Sequence, residues 1–345
     1  MSDPQAEARP APGRRRLAWS AGLAAAVAIG LLATLVGRAW PTLGAPVVAV
    51  VAGALLSGLM QRHGGALAPG LGFARGRVLQ LSVVLLGAQL SLREVASVGA
   101  SSLPVMVGTL ATCLIVAWLL GRWLGINTDL RTLIGVGTAI CGASAIAAVS
   151  PAIRAKSADV AYAISTIFLF NVIAVICFPP LGHALGLSQA QFGLFAGTAV
   201  NDTSSVVAAA TSYGRVAAQH AVVVKLVRTL MIIPIVLALG AVTRRRQPDS
   251  VETGGRLRSA VSLVPWFLVG FLLMVGLNSA GLVPAAIQDP VRQLAGLCIA
   301  VALAAIGLST DIRSLRSTGS RPLLLGLALW LTVTGTSLGL QAVTR

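Results

Sequence analysis

The chain has 345 residues, of which 56% are hydrophobic and 10% charged, where an ordinary soluble domain carries roughly a quarter charged residues. A soluble fold of that composition would leave large apolar patches outside, so the soluble class is excluded. The net charge of +16 does not mark a nucleic-acid partner, because most Arg and Lys residues sit in short connections between apolar runs, where they set orientation in a bilayer.

Those runs are about 18–25 residues long, enough to cross a ~30 Å hydrocarbon core. Helices are expected, since backbone groups in lipid must be satisfied within their own segment. The alternation of an outer-membrane barrel is missing. A basic tail, 1–16, ends in Arg14-Arg15-Arg16 and is expected in the cytoplasm. The run from Leu17 to Val36 is long for a signal-peptide core and no Ala-x-Ala directly follows its end, so it reads as a first spanning helix, 17–37. Further apolar segments follow at 43–60, 78–92, 103–121, 131–150, 158–178, 190–211, 217–241, 260–280, 291–308 and 321–341. Trp19, Trp40, Trp123 and Trp266 fall near segment ends, as an interfacial belt requires. Cys113, Cys141, Cys177 and Cys298 lie inside apolar segments without CxxC spacing and read as small buried residues.

The basic loops test this layout. Arg62, Arg75 and Arg77, then Arg122 and Arg131, fit a cytoplasmic side shared with the tail. Eleven simple crossings would put Arg154 and Lys156 outside and the neutral loop Pro179–Gln189 inside. If 131–150 enters from the cytoplasm and turns back, and 190–211 does the same from outside, both faults vanish. Arg244, Arg245, Arg246, Arg256 and Arg258 then fall inside, as do Arg313, Arg316 and Arg321. The expected topology is nine crossings plus two dipping segments, amino terminus in and carboxyl terminus out.

Internal similarity picks out the same two segments. Gly137-Thr138-Ala139-Ile140-Cys141-Gly142-Ala143-Ser144 resembles Gly197-Thr198-Ala199-Val200-Asn201-Asp202-Thr203-Ser204 at an offset of 60. A second register at 218 pairs Leu90-Ser91 with Leu308-Ser309, Pro104 with Pro322, Gly108 with Gly326 and Leu120-Gly121 with Leu338-Gly339. In this topology each partner faces the opposite way. The expected fold is therefore an all-α polytopic membrane protein with an inverted-topology repeat, a construction found in secondary transporters. It comprises five plus five elements and one extra N-terminal helix, with two broken or re-entrant helices crossing near the midplane. Repeat one spans 43–178 and repeat two 190–341, within a single transporter domain, 17–345.

Half-helix starts near a midplane favour anions. Thr138, Cys141, Gly142 and Ser144, with Asn201, Thr203, Ser204 and Ser205, are candidate substrate contacts; the small residues among them also serve tight packing. Asp202 is a carboxylate in an apolar segment, and such groups point to function. It reads as a binder of a coupling H⁺ or Na⁺, or as a helix N-cap. Lys225 and Arg228 share a helix face and either grip an oxyanion deep in the layer or snorkel outward. Gln89, Asn171 and Asn278 suit interhelical hydrogen bonds. Gly70-Leu71-Gly72-Phe73-Ala74-Arg75-Gly76 lacks the strand a nucleotide fingerprint needs. His63, His183 and His220 fall at or near segment ends, and no catalytic or metal-binding constellation stands out, so neither an enzyme nor a cofactor is expected.

The strings LIGVGTAICGASAIAAVSP, FAGTAVNDTSSVVAAA, VVVKLVRTLMIIP and GRVLQLSVVLLGAQLSL resemble the YeiH-like family of bacterial membrane proteins, described as sulfate exporters. The resemblance covers nearly the whole chain after the basic tail. It implies a multi-pass bacterial inner-membrane protein with a role in anion export. The combined expectation is a secondary transporter of a small anion such as sulfate or an organic sulfonate, coupled to H⁺ or Na⁺. Another small organic acid is the nearest alternative substrate; a membrane enzyme or scaffold fits less of the sequence. The partners implied are the anion, the coupling ion, the bilayer and a second copy of the chain in a homodimer, with no nucleic acid.

Overall fold

A computed structural model describes residues 12–39, 45–61, 67–236, 238–239, 265–309 and 320–344. Trp40, Arg62, His63 and the arginines at 244–246, 256, 258, 313 and 316 lie outside the described residues, so the inside loops expected there have no structural account. Every described element is helical. Among the described residues, six helices are long and apolar enough to cross a membrane: Trp19–Gly37, Leu92–Trp123, Ser157–Ala184, Arg215–Val236, Ala285–Leu308 and Ser320–Val343. The remaining expected crossings, 43–60, 78–92 and 260–280, coincide with shorter or interrupted helices.

The chain divides into two compact units. The first comprises Met1–Ser82 and Gln293–Asp311. It holds α1 (Pro12–Ala39), α2 (Ala45–Gln61) and α3 (Ala68–Phe73). A π-turn, Ala74–Val78, runs on into α4 (Leu79–Gly87). Close approach through small residues joins these helices. Gly22 lies against the Leu67 carbonyl and Gly70 against Trp19, so a side chain at either would strike backbone. The ring of Trp19 meets Phe73 edge-on at 5.4 Å.

The second unit comprises Val83–Arg292 and Ile312–Arg345. Its helices are α5 (Leu92–Trp123), α6 (Thr128–Ala139), α7 (Ala143–Ile153), α8 (Ser157–Ala184), α9 (Gln189–Ala199), α10 (Thr203–Tyr213), α11 (Arg215–Leu230) and α12 (Trp266–Ser279). The chain passes between units within α4 and within α13 (Ala285–Leu308), and α14 (Ser320–Val343) completes the second unit. Helix starts are fixed by side chains that satisfy otherwise orphaned N–H groups. Asn127 accepts from the Leu130 N–H at the head of α6. Ser91 with Glu94, and Ser188 with Gln191, form reciprocal capping boxes at α5 and α9.

Two pairs of short helices fold back as hairpins. Continued in one line, α9 and α10 would set Gln189 and Gly214 roughly 38 Å apart. Instead the Val216 N–H donates to Gln189 Oε1 at 2.9 Å, and the Tyr213 ring stacks on Phe192 at 3.9 Å. The α6–α7 pair also returns. Gly137 packs on Ile146 of α7 as well as on Ile167 of α8. At its base Asn127 Nδ2 donates to Asp159 Oδ1, near the start of α8, at 3.1 Å. The base of one hairpin thus lies at the first turns of α8, while the other follows the last turn of α8 by a short loop, Leu185–Ser188. α8 has 28 residues, about 42 Å at 1.5 Å per residue. The two hairpins approach its middle from opposite ends.

Several outlying residues sit where the sequence placed them, and some do not. Trp19, Trp123 and Trp266 are exposed near helix ends. Cys113, Cys141 and Cys298 are buried, whereas Cys177 is exposed on the outer face of α8; its thiol packs against no protein interior because that face of the helix is left to the surroundings. Asn278 Nδ2 donates to the Leu90 carbonyl at 3.1 Å, an interhelical bond of the expected kind. Gln89 Nε2 is buried without a partner.

Candidate functional site at the hairpin tips

Each hairpin turns through a three-residue break, Ile140–Gly142 in one and Val200–Asp202 in the other. The breaks touch. Gly142 has φ +69, a conformation that suits glycine, and a Cβ there would stand 3.2 Å from the Asp202 Cβ. Asn171, midway along α8, holds the second break: its Oδ1 accepts from the Asn201 N–H at 3.1 Å and the Asp202 N–H at 3.4 Å.

Breaking a helix orphans the carbonyls of its last turn, and those ends carry partial negative charge. Lys225 and Arg228 answer both. Their side chains leave one face of α11 and are fully buried. The Lys225 ammonium donates to the carbonyls of Ile140 at 2.9 Å and Val200 at 2.8 Å, the C-cap residues of α6 and α9. Arg228 donates through Nε to Ala139 at 2.6 Å and through Nη2 to Thr138 at 3.0 Å, and through Nη1 to the Thr198 carbonyl. Each cation therefore binds both hairpins, and at positions related by the 60-residue offset: 140 with 200, 138 with 198. Neither makes an ion pair with a described residue. Of the two readings left open by the sequence, outward snorkelling is corrected: both groups point inward. Their hydrogen bonds go to backbone carbonyls, where the sequence had suggested an anion.

The opposite poles differ. At the head of α10 the Asp202 carboxylate accepts from the N–H groups of Ser204 at 2.7 Å and Ser205 at 3.0 Å. It also accepts from the hydroxyls of Ser205 at 2.7 Å and of Ser204. Asp202 is thus the N-cap of α10. The head of α7 has glycine at that position and no side-chain cap, and Ala143 and Ser144 there are exposed. One start is filled by its own carboxylate and the other has no side-chain cap.

Of the residues singled out from sequence, Gly142, Asn201, Asp202, Ser204, Ser205, Lys225 and Arg228 come together at or beside the crossing. Thr138 contributes its carbonyl, not its hydroxyl. Asn201 is buried, with Oδ1 lacking a partner. Cys141, also buried, and the half-buried Thr203 take no part in these hydrogen bonds, and Ser144 stands at the open head of α7. Sequence reasoning missed Asn171 as part of the site; its position at the centre of a 28-residue apolar helix was the available signal. It also missed Ser337, whose hydroxyl meets that of Thr198 at 2.7 Å.

The family described as "conserved hypothetical protein 698" matches residues 21–326. The chain belongs to this family, the UPF0324 or YeiH-like membrane proteins. Among UPF0324 relatives, a membrane protein of Streptococcus pyogenes serotype M18 is 42% identical over 326 residues, covering 93% of this chain and 96% of the relative. One from Streptococcus pneumoniae strain R6 is 42% identical over 328 residues, 94% and 96% of the two chains. One from Streptococcus mutans is 39% identical over 328 residues, 93% and 96%. No solved structure matches the chain. Helices and relatives together make this a multi-pass bacterial membrane protein.

Proposed function

We propose that the protein is a secondary transporter of a small anion, with the anion accommodated at the open head of α7. The observation that carries the reading is the tip-to-tip meeting of two helical hairpins, Gly142 against Asp202, beside two fully buried cations. Irregular backbone at membrane depth is tolerated where it is enclosed by protein or lines a cavity, and secondary transporters place substrate at such discontinuities. If α8 crosses the bilayer, its two ends lie at opposite faces, and one hairpin enters from each. That arrangement is what an inverted-topology repeat of 43–178 and 190–341 would produce.

The charges suggest how the parts divide the work. Lys225 and Arg228 hold the half-helix C-termini together and make the crossing electropositive. The α7 head, with the Ala143 and Ser144 N–H groups and the Ser144 hydroxyl, faces the anion. Asp202 touches Gly142 at that head, so its carboxylate opposes an incoming anion. A proton taken up by Asp202 would remove the repulsion, coupling anion entry to H⁺. Sulfate or an organic sulfonate is the first substrate class to test, followed by other small organic acids.

The test is uptake of radiolabelled sulfate and sulfonates by reconstituted vesicles, with and without a pH gradient. Gradient-driven uptake, lost in Asp202→Asn while the protein remains folded in the membrane, supports the reading. Flux equal to that of empty vesicles across a panel of oxyanions and organic acids would sink it.

A further inference from the structure

The Lys225 ammonium sits where a metal cation would be expected. Its two carbonyl acceptors, Ile140 at 2.9 Å and Val200 at 2.8 Å, are the C-cap residues of two half-helices that belong to different hairpins. Half-helix C-terminal ends and unwound carbonyls are the usual ligands for coupling Na⁺ in broken-helix membrane proteins. They carry partial negative charge from their helices and suit a hard monovalent ion. The next residue after Val200, Asn201, is itself buried, and its Oδ1 has no hydrogen-bond partner. No carboxylate lies within ion-pair distance of the ammonium, so its direct partners are carbonyl dipoles, as they would be for Na⁺. The Lys225 side chain is fully buried and engages both oxygens through its ammonium.

We propose that Lys225 is a tethered cation occupying a latent Na⁺ site at the hairpin crossing, so that the native protein binds no Na⁺ there. Truncating the side chain opens that site. The proposal deepens the reading of the crossing given above, because it takes these two half-helix ends out of use as an Na⁺ coupling site. It concerns cation binding alone, and its test needs no transport, so the two can fail separately.

The measurement is thermal unfolding of the full chain, purified in detergent, followed by tryptophan fluorescence in NaCl and in choline chloride at equal ionic strength. The native protein is expected to unfold at the same temperature in both. Lys225→Ala is expected to gain a saturable, Na⁺-specific rise of several degrees, as binding to the folded state alone requires. Lys225→Met, which fills the space without charge, is expected to unfold earlier than the native protein in both salts, with no response to Na⁺. A saturable Na⁺ response in the native protein would overturn the proposal. So would Lys225→Ala that does not respond to Na⁺, or that cannot be recovered folded even in NaCl.

Discussion

Gly142 and Asp202, equivalent positions in the two repeated motifs, are in direct contact: a Cβ on Gly142 would lie 3.2 Å from the Asp202 Cβ and 3.6 Å from its Cα. The contact brings an uncapped helix start beside a capped one. It also fixes the distance over which Lys225 and Arg228 bridge the hairpins, since their acceptors are the carbonyls of the first residue of each break and of the turn just before it. The arrangement has consequences that can be measured.

Gly142→Ala should be costly. The residue sits at φ +69 and ψ −131, outside the left-handed α region, where a Cβ costs about 1–3 kcal/mol by itself, and the Asp202 contact adds crowding. Gly339, in α14, has open space around the Cβ position, so Gly339→Ala should be neutral or stabilising by up to ~1 kcal/mol. Thermal unfolding of the pair in detergent gives the comparison; equal melting temperatures would show that the crossing tolerates a methyl group.

Arg228→Ala should lower stability by about 1–3 kcal/mol for each buried carbonyl it leaves unsatisfied. Three carbonyls, those of Thr138, Ala139 and Thr198, lose their donor together. Arg228→Lys should not restore the native value, because a point ammonium cannot reproduce the planar fork that spans both hairpins. Yield and melting temperature of both variants check this, and full rescue by lysine would refute the bridging geometry.

Asp202 separates a capping role from a proton-coupling role. Asp202→Ala should cost about 1 kcal/mol through the lost cap of α10, whereas Asp202→Asn should keep most of it, asparagine being a good N-cap. Anion binding to Asp202→Asn should then be stronger at neutral pH and indifferent to pH. Isothermal titration of sulfate or sulfonate across a pH series reads the effect; unchanged pH dependence in the asparagine variant would remove Asp202 from coupling.

Trp330 stacks on Phe178 at 5.2 Å and on Phe170 at 5.9 Å, yet its indole N–H is buried without a partner. Trp330→Phe keeps an aromatic ring in the stack and removes the unsatisfied donor, so it should change stability by less than ~1.5 kcal/mol. Trp330→Ala should cost about 3–5 kcal/mol. A large loss in the phenylalanine variant would mean that the N–H has a partner, such as a bound water.

The offset-60 motif could be read from the sequence because the breaks demand small and polar residues at fixed places: Gly and Thr before each break, Ser after it. The charge argument over Arg154, Lys156 and the neutral loop 179–189 singled out the same two segments. The partners of the cations could not be read. Backbone carbonyls exist at every position, and nothing in the letters Ile140 or Val200 says that their oxygens will be orphaned and turned toward α11. Asn171 was visible as a polar residue in a span, but its role depends on which backbone N–H groups reach it.

Composition and run length alone determined that the chain is a multi-helix membrane protein, because hydrocarbon admits long apolar helices and leaves most charges to the loops. Periodicity also put Lys225 and Arg228 on one helix face. Only the tertiary structure decided what that face meets. Folding turns two helix ends toward the same point, and a buried cation takes the nearest available acceptors, which here are the carbonyls of both broken helices.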